Sequence, residues 1–302
     1  VDGVVNVCKT GGPTSHDVVD DVRRLFAQRR VGHAGTLDPM ATGVLVICLG
    51  KATRIVEYLV GMPKEYRARM VLGVSTDTQD STGVVISEKD ASYVTEDDFK
   101  RAIKSFVGEI EQIPPMTSAI KHQGKALYKL AREGKVVERA PRKVTIYGID
   151  ILDIIPGSRA EAEILVRCSS GTYIRTLCSD IGNALGCGGH MSMLERTRVG
   201  MFDIERSVTV DQLRQAKLEG RLDDHVYDMS NALKNMPAMM IDSEGERRIM
   251  HGLPIDADNK VTCGVTVRIL GTGEDLLALG VVTEQNGRLI VKPRKVLIEP
   301  AG

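Results

Sequence analysis

The stretch Gly32-His33-Ala34-Gly35-Thr36-Leu37-Asp38-Pro39-Met40-Ala41-Thr42-Gly43-Val44-Leu45 places one carboxylate, Asp38, on a glycine-rich loop. A helical pattern precedes the loop and the apolar run Val44-Leu45-Val46-Ile47-Cys48-Leu49 follows it. Pro39 biases Asp38 toward an extended or turn conformation. Gly32, Gly35 and Gly43 let the backbone bend sharply or approach a ligand closely. A lone Asp-Pro is ordinarily a capped turn, but a loop of this composition mounted on a strand is where a rigid scaffold carries chemistry.

Outward from this loop the pattern mixes helices and strands. Residues Asp17–Arg29 read as a helix with Val18, Val22, Leu25 and Phe26 on one face and Thr14 or Ser15 as its cap. A second helix starts at Thr95 and carries Phe99, Ile103, Phe106 and Val107; Thr209–Gln212 and Ser243–Glu246 fit capping boxes. Strand-like runs lie at Val1–Val7, Tyr66–Gly73, Val144–Ile155, Ala162–Cys168, Val199–Ile204, Val265–Leu270 and Leu289–Val291. Without regular βαβ spacing, this predicts an α+β fold with a mixed, largely antiparallel sheet flanked by helices. After Met236-Pro237 one short helix is followed by glycine-punctuated strands, so the expected division is a domain at 1–237 and a small β-rich domain at 238–302.

A chain of 302 residues is long enough for a substantial core. No run approaches the ~18 apolar residues of a membrane span, and Val1–Val7 lacks the basic start of a signal peptide. The six cysteines form no Cys-x-x-Cys pair, which argues against zinc and for reduced thiols in a cytoplasmic protein. Ser15-His16-Asp17 has triad residue types, but consecutive residues do not converge on one reacting atom, and a helix start with Asp17 at the positive end of its dipole fits better. Asp77-x-x-Asp80-x-x-Gly83 lacks the spacing of an EF-hand, so no metal is expected. Forty basic residues balance forty acidic ones, which counts against gross attraction to nucleic acid. Locally the balance is broken. Between Pro114 and Tyr147, eight basic residues (Lys121, Lys125, Lys129, Arg132, Lys135, Arg139, Arg142, Lys143) face only Glu133 and Glu138. Such a run is ordinarily a solvated face; its length makes a phosphate-facing surface credible.

Several blocks, in order, resemble those of bacterial pseudouridine synthases of the TruB type, which isomerise the T-loop uridine at position 55 of transfer RNA. Besides the Asp38 loop, they are Lys9 with Thr14–Val19, Lys64-x-Tyr66, Leu72–Gly83, Gln112–Lys121, Gly124–Gly134, Cys168–Leu177 and Leu194–Phe202. The chain departs from the usual residues at Thr10, Thr117, Ser170 and Glu195, where the family more often has Pro, an aromatic, Lys and Arg; the acid–base centre is expected to be untouched by these.

The resemblance implies a pseudouridine-synthase fold with a PUA-like RNA-binding domain at 238–302 and an RNA-gripping insertion at about 114–147. It implies that Asp38 is catalytic, that Arg175 pairs with it, and that Tyr66 stacks on the flipped uridine. An arginine that close lowers a carboxylate pKa by about 1–3 units, which is expected to keep Asp38 ionised. Tyr173 and Leu194 would line the pocket, Asp80 would bond the pocket nucleotides, and His33 would fill the vacated stack. The reaction gains no atoms or electrons, so no cofactor is required. Whether Asp38 attacks C1′ or removes a sugar proton, the same anion is needed. The implied partner is the tRNA T-arm, with no obligate protein partner. Two other readings stand beside this one: the catalytic subunit of a guide-RNA particle, and an RNA-folding factor acting by binding the T-arm.

Overall fold

The computed structural model describes residues 1–118, 120–257 and 261–298. The motif residue Ala119 and the side chains of Lys121, His122, Ala126, Tyr128 and Arg132 lie outside the described residues. A ten-stranded sheet forms the larger unit. Its spatial order is Val226–Tyr227, Gly3–Lys9, Thr42–Leu49, Gly189–Val199, Lys64–Leu72, Glu161–Cys168, Arg142–Ile155, Gly108–Gln112. Val31–His33 adds to Thr42–Leu49, and Phe202–Asp203 to Gly189–Val199. Thr42–Leu49 and Gly189–Val199 pair in parallel, while the described pairings elsewhere in this sheet are antiparallel.

Thr42–Leu49 is buried on both faces because two cores meet across it. Leu45, Ile47 and Leu49 enter one apolar cluster with Val18, Val22, Tyr66, Ile164 and Leu177. Val44, Val46 and Cys48 enter another with Leu59, Val199 and Phe202. A continuous apolar run, rather than an alternating one, is what a doubly covered strand requires.

The second sheet has five strands, ordered Ala238–Met240, Thr266–Leu270, Leu276–Gln285, Arg288–Val296, Ile255–Asp256. It has its own small core around Ile249, Val267, Ile269 and Val282. Its Leu270, Leu276, Leu279 and Leu297, however, belong to the same cluster as Val44, Val46 and Phe202. The Lys295 ammonium also pairs with Glu57 at 2.8 Å. The two sheets are therefore welded through apolar contact.

Local signals held at Thr14, Thr95 and Thr209, each of which caps its helix in a full capping box. Four elements differ from expectation. The helix capped by Thr95 is Glu96–Lys104, so Phe106 and Val107 lie beyond its end, after the cap Ser105. The first helix stops at Leu25, because Phe26 ends it and Ala27 turns left-handed at φ 50°. The helix Ser243–Met250 is capped by Asp242, whose carboxylate accepts from Gly245 N–H, one residue before the expected cap. Val199–Ile204 is a reversal, with Gly200 at φ 55° between Val199 and Phe202. The strand Gly189–Val199, rich in His, Ser, Met and Arg, gave no clear periodic signal. Among the described residues no helix is long and apolar enough to cross a membrane.

The shared cluster makes a stability prediction. Leu279 is fully buried, so Leu279→Ala is expected to cost about 2–5 kcal/mol of unfolding free energy, measured by urea denaturation. Because Leu279 belongs to the apolar cluster that also holds Val44, Val46 and Cys48 of the Thr42–Leu49 strand, the loss should reach the large sheet, so near- and far-ultraviolet transitions shift together. A shift confined to the small sheet would contradict the shared core.

Candidate active site

The Asp38 loop connects Val31–His33 to Thr42–Leu49, and its carbonyls are held by side chains from distant segments. Lys9, 1% exposed, donates from Nζ to the carbonyls of Thr10 (2.9 Å), Pro39 (3.0 Å) and Ala41 (2.7 Å). Arg196, also 1% exposed, donates to Val44 (2.7 Å), Gly35 (3.0 Å) and Thr36 (3.4 Å). The Ser15 hydroxyl donates to the Leu37 carbonyl and accepts from the Leu37 N–H. Asp38's own carbonyl accepts from Ala41 N–H at 3.0 Å. Gly43 sits at φ 96° with the Arg196 carbonyl 2.3 Å from where a Cβ would lie, so a side chain has no room there. Burial draws the Lys9 ammonium down to about 8, against the pull of the Asp38 charge.

Held this way, the Asp38 side chain is 32% exposed and meets Arg175, which is 5% exposed. Nε donates to Oδ2 at 3.1 Å and Nη2 to Oδ1 at 3.4 Å. The remaining nitrogen, Nη1, reaches Asp80 Oδ2 at 3.3 Å and the Thr117 hydroxyl. Asp80 divides its two oxygens between tasks. Oδ1 accepts from Thr78 Oγ1, Thr82 N–H and Thr82 Oγ1, which closes the local turn, while Oδ2 is left for Arg175. Ser81 N–H bonds Met191 O and Met191 N–H bonds Gln79 O, which sets this turn against the strand Gly189–Val199.

The expectation that Arg175 sets the Asp38 carboxyl below the ordinary range needs correction. Burial pushes its carboxyl above the ordinary carboxylate range; Arg175 and Lys9 pull down and Asp80 pushes up, with burial the largest influence. The arginine offsets part of the burial cost and does not overturn it. A second correction concerns Thr117. Its hydroxyl is in contact with Arg175, so this departure from the family pattern does touch the pair that the resemblance assigns to the acid–base centre.

Tyr66, on the strand Lys64–Leu72, is 9% exposed and lies opposite Arg196 in register. Burial raises its phenol against the positive charge of Arg196, so the ring is neutral and protonated at pH 7, and it senses the Asp38 charge. His33 ends its strand with Nδ1 buried and, among the described residues, unpartnered. Burial, Arg196 and His16 all lower its imidazole, which is neutral at pH 7. Leu194 is buried in the cluster that holds Tyr66. Tyr173 precedes the helix Ile174–Ala184 that carries Arg175; its N–H and carbonyl are both bonded by the Gln112 amide, at 2.9 and 3.2 Å. Ion pairs thus join Asp38, Arg175 and Asp80, with Tyr66 in electrostatic range. His33, Tyr173 and Leu194 lie on flanking elements. Sequence reasoning did not single out the supports Lys9, Arg196 and Gln112. A basic or amide side chain inside a strand that must bury is the signal for such a group.

The basic segment is an excursion between paired strands, since Gln112 and Arg142 face each other at its root. It contains a short hairpin, Lys121–His122 with Lys125–Ala126, and the helix Leu127–Arg132. Part of its charge is answered locally. Lys125 and Lys135 both pair with Glu133, Lys143 pairs with Glu109, and Arg139 bonds the Pro114 carbonyl. Among the described residues no His, Cys, Asp and Glu group is arranged to hold a metal.

The mixed sheet carries the arginine-paired Asp38 and the buried Tyr66, and its fold is that of a pseudouridine synthase. The fold is shared with the protein in a solved H/ACA ribonucleoprotein bound to a substrate RNA containing 2'-deoxyuridine, at 30% identity and a TM-score of 0.74, covering 98% of this chain and 85% of that one. Residues 23–174 match the N-terminal domain of the TruB family pseudouridylate synthases, and residues 175–234 the C-terminal domain of tRNA pseudouridylate synthase B. The chain belongs to the TruB family. It is 43% identical to the tRNA pseudouridine synthase B of Pelotomaculum thermopropionicum over 100% of its own length and 99% of the relative's. It is 47% identical to that of Symbiobacterium thermophilum over 84% of this chain and 83% of that one.

The electrostatics predict where Asp38 titrates. Its carboxyl should have a midpoint above the ordinary value of about 3.9, read by carbon-13 NMR of the labelled carboxyl in the free protein. Arg175→Gln removes a favourable charge and should move the midpoint further up. A midpoint unchanged by Arg175→Gln would show that the pair carries no electrostatic weight.

Proposed function

We propose that this chain is a tRNA pseudouridine synthase that converts the T-loop uridine at position 55 into pseudouridine, with Asp38 as the catalytic group. The supporting observation is the Asp38–Arg175 pair, part-exposed on a loop whose carbonyls are fixed, in a chain of this family.

The isomerisation breaks the C1′–N1 bond, turns the uracil and joins C1′ to C5; the C5 proton leaves and N1 gains one, so nothing is consumed. An ionised carboxylate beside the sugar serves either route, attack at C1′ or removal of a sugar proton. Arg175 favours that ion and orients both oxygens. The target base must leave its stack, which costs a few kcal/mol. Tyr66 offers a face for stacking, worth about 1–3 kcal/mol. Its phenol is protonated and serves as a donor rather than a base. Tyr173 and Leu194 complete the apolar wall, Asp80 faces the pocket nucleotides, and neutral His33 takes the vacated place in the RNA. The 114–147 segment grips the T-arm. The PUA-like unit at 238–302 extends the RNA contact. This work is assigned to the cytoplasm, without a guide RNA or protein partner. The 43% identity to a protein named tRNA pseudouridine synthase B, over 100% of this chain, favours this over the guide-particle reading, for which the identity to the H/ACA ribonucleoprotein structure is 30%.

Incubating the protein alone with unmodified tRNA, then mapping pseudouridine at single-site resolution, tests the reading; no product without added guide RNA or protein would sink it. Asp38→Asn is expected to abolish product while tRNA affinity stays near wild type, since phosphate contacts and stacking supply most binding. Tyr66→Leu should lower turnover far more than affinity, whereas Tyr66→Phe keeps the stacking face. Turnover by a verified Asp38→Asn protein would remove Asp38 from its role.

Neutralising Lys121, Lys125, Lys129 and Arg132 together should weaken tRNA binding and flatten its salt dependence. Each lost phosphate contact reduces the log–log slope by about 0.7–0.9. Because Lys125 already leans on Glu133, the four substitutions should remove fewer contacts than charges. An unchanged slope means the segment is a solvated face.

A further inference from the structure

The turn Pro115–Ser118 presents a hydroxyl that the mechanism above leaves unused. Ser118 N–H donates to the Pro115 carbonyl at 3.1 Å, and Pro114 and Pro115 are both buried. Adjacent prolines restrict the backbone, so Thr117 projects from a stiff turn. Its hydroxyl accepts from Arg175 Nη1. Nearby, Gln112 bonds both backbone groups of Tyr173, two residues before Arg175. The root of the 113–141 excursion is therefore fixed against the start of the helix that carries the arginine, quite apart from Thr117.

A guanidinium offers five N–H donors in one rigid plane. Here Nε and Nη2 face the two oxygens of Asp38, while Nη1 has Asp80 Oδ2 at 3.3 Å and the Thr117 hydroxyl. The Thr78 carbonyl, at 3.5 Å, is at the edge of hydrogen-bond range. Two carboxylates thus compete for one cation, and a plane free to turn would favour whichever is more buried. Asp80 is the more buried, with its side chain 6% exposed against 32% for Asp38. An acceptor on the second Nη1 proton opposes that swing. We propose that Thr117 is a positioning residue for the isomerisation, its hydroxyl holding the Arg175 guanidinium in the plane that faces Asp38. The inference rests on the reading of Asp38 as the reacting carboxylate. It ties the root of the basic excursion to the acid–base centre through one hydrogen bond.

The charged and titratable groups that act on Asp38 are Arg175, Asp80 and Lys9, with the Tyr66 phenol sensing its charge. Of these, Arg175 is the one bonded to Thr117.

Thr117→Val keeps the shape and removes the hydroxyl, and Thr117→Ser keeps the oxygen. Thr117→Ala repeats the loss should valine disturb the turn, and thermal melting checks that each protein is folded. In the free protein, the Asp38 carbon-13 midpoint should rise in Thr117→Val. On tRNA, kcat at pH 7 should fall about threefold to tenfold, the scale of one hydrogen bond, with KM changed by less than about twofold. The acid limb of kcat should move up with the midpoint, and Thr117→Ser should restore all three. A midpoint unmoved in both Thr117→Val and Thr117→Ala overturns the proposal, as does a rise in KM with kcat and the acid limb unchanged. A midpoint that rises while the acid limb stays put removes Asp38 from the reaction, and Thr117's part in it with it.

Discussion

Two buried cations hold the loop on which everything else depends. Lys9 and Arg196 come from strands on either side of Thr42–Leu49 and between them bind the carbonyls of Thr10, Gly35, Thr36, Pro39, Ala41 and Val44. A glycine-rich loop that passes into a protein interior strands its backbone acceptors, and each one left unmet costs about 1–3 kcal/mol. Charged donors that reach several acceptors at once meet the need with two side chains. Lys9 also puts positive charge near Asp38, so one support of the loop biases the ion at its tip.

The state of Asp38 follows from opposing effects of similar size. Full burial raises a carboxyl pKa by up to about 3–5 units, and a close arginine lowers it by about 1–3. In this site burial leads, and the neighbouring Asp80 adds to it, so the carboxyl holds its charge with less reserve than a surface residue has. An anion kept short of solvent and short of full compensation is a reactive one. Arg175 stands between two carboxylates, and its orientation decides how its charge is shared.

Much of the fold was legible because its cues are local. Threonine three residues before Asp17, Asp98 and Gln212 marks three helix starts, and each forms the reciprocal bonds expected. The unbroken apolar run Val44–Leu49 announced a strand, and the two clusters that cover it explain why the run does not alternate. Gly189–Val199 escaped because its neighbours, not its composition, bury it: it carries Arg196 inward, which alternation of apolar residues does not reveal. The Asp38–Arg175 pairing was available only through family likeness, and the ion pair of Asp80 with the same arginine was not foreseen, since the residues lie far apart in sequence. Charge counting overstated the basic excursion because Glu109, which answers Lys143, lies outside it. The pKa of Asp38 was misjudged for the same reason: an arginine partner shows in a motif, and a low-dielectric wall does not.

The strand Thr42–Leu49 sends Leu45, Ile47 and Leu49 into one cluster and Val44, Val46 and Cys48 into the other, and the second cluster also contains leucines of the small sheet. Successive residues advance about 3.3 Å and change face. Sliding this strand by one residue would exchange its two sets of side chains between cores of different shape and carry Asp38 one step along the sheet. The strand is thus a ruler graduated on both edges, and its zero is the carboxylate. A chain built this way tolerates sequence drift within either core more readily than a single insertion or deletion between Gly35 and Leu49, which would misplace Asp38 even if every apolar position stayed apolar.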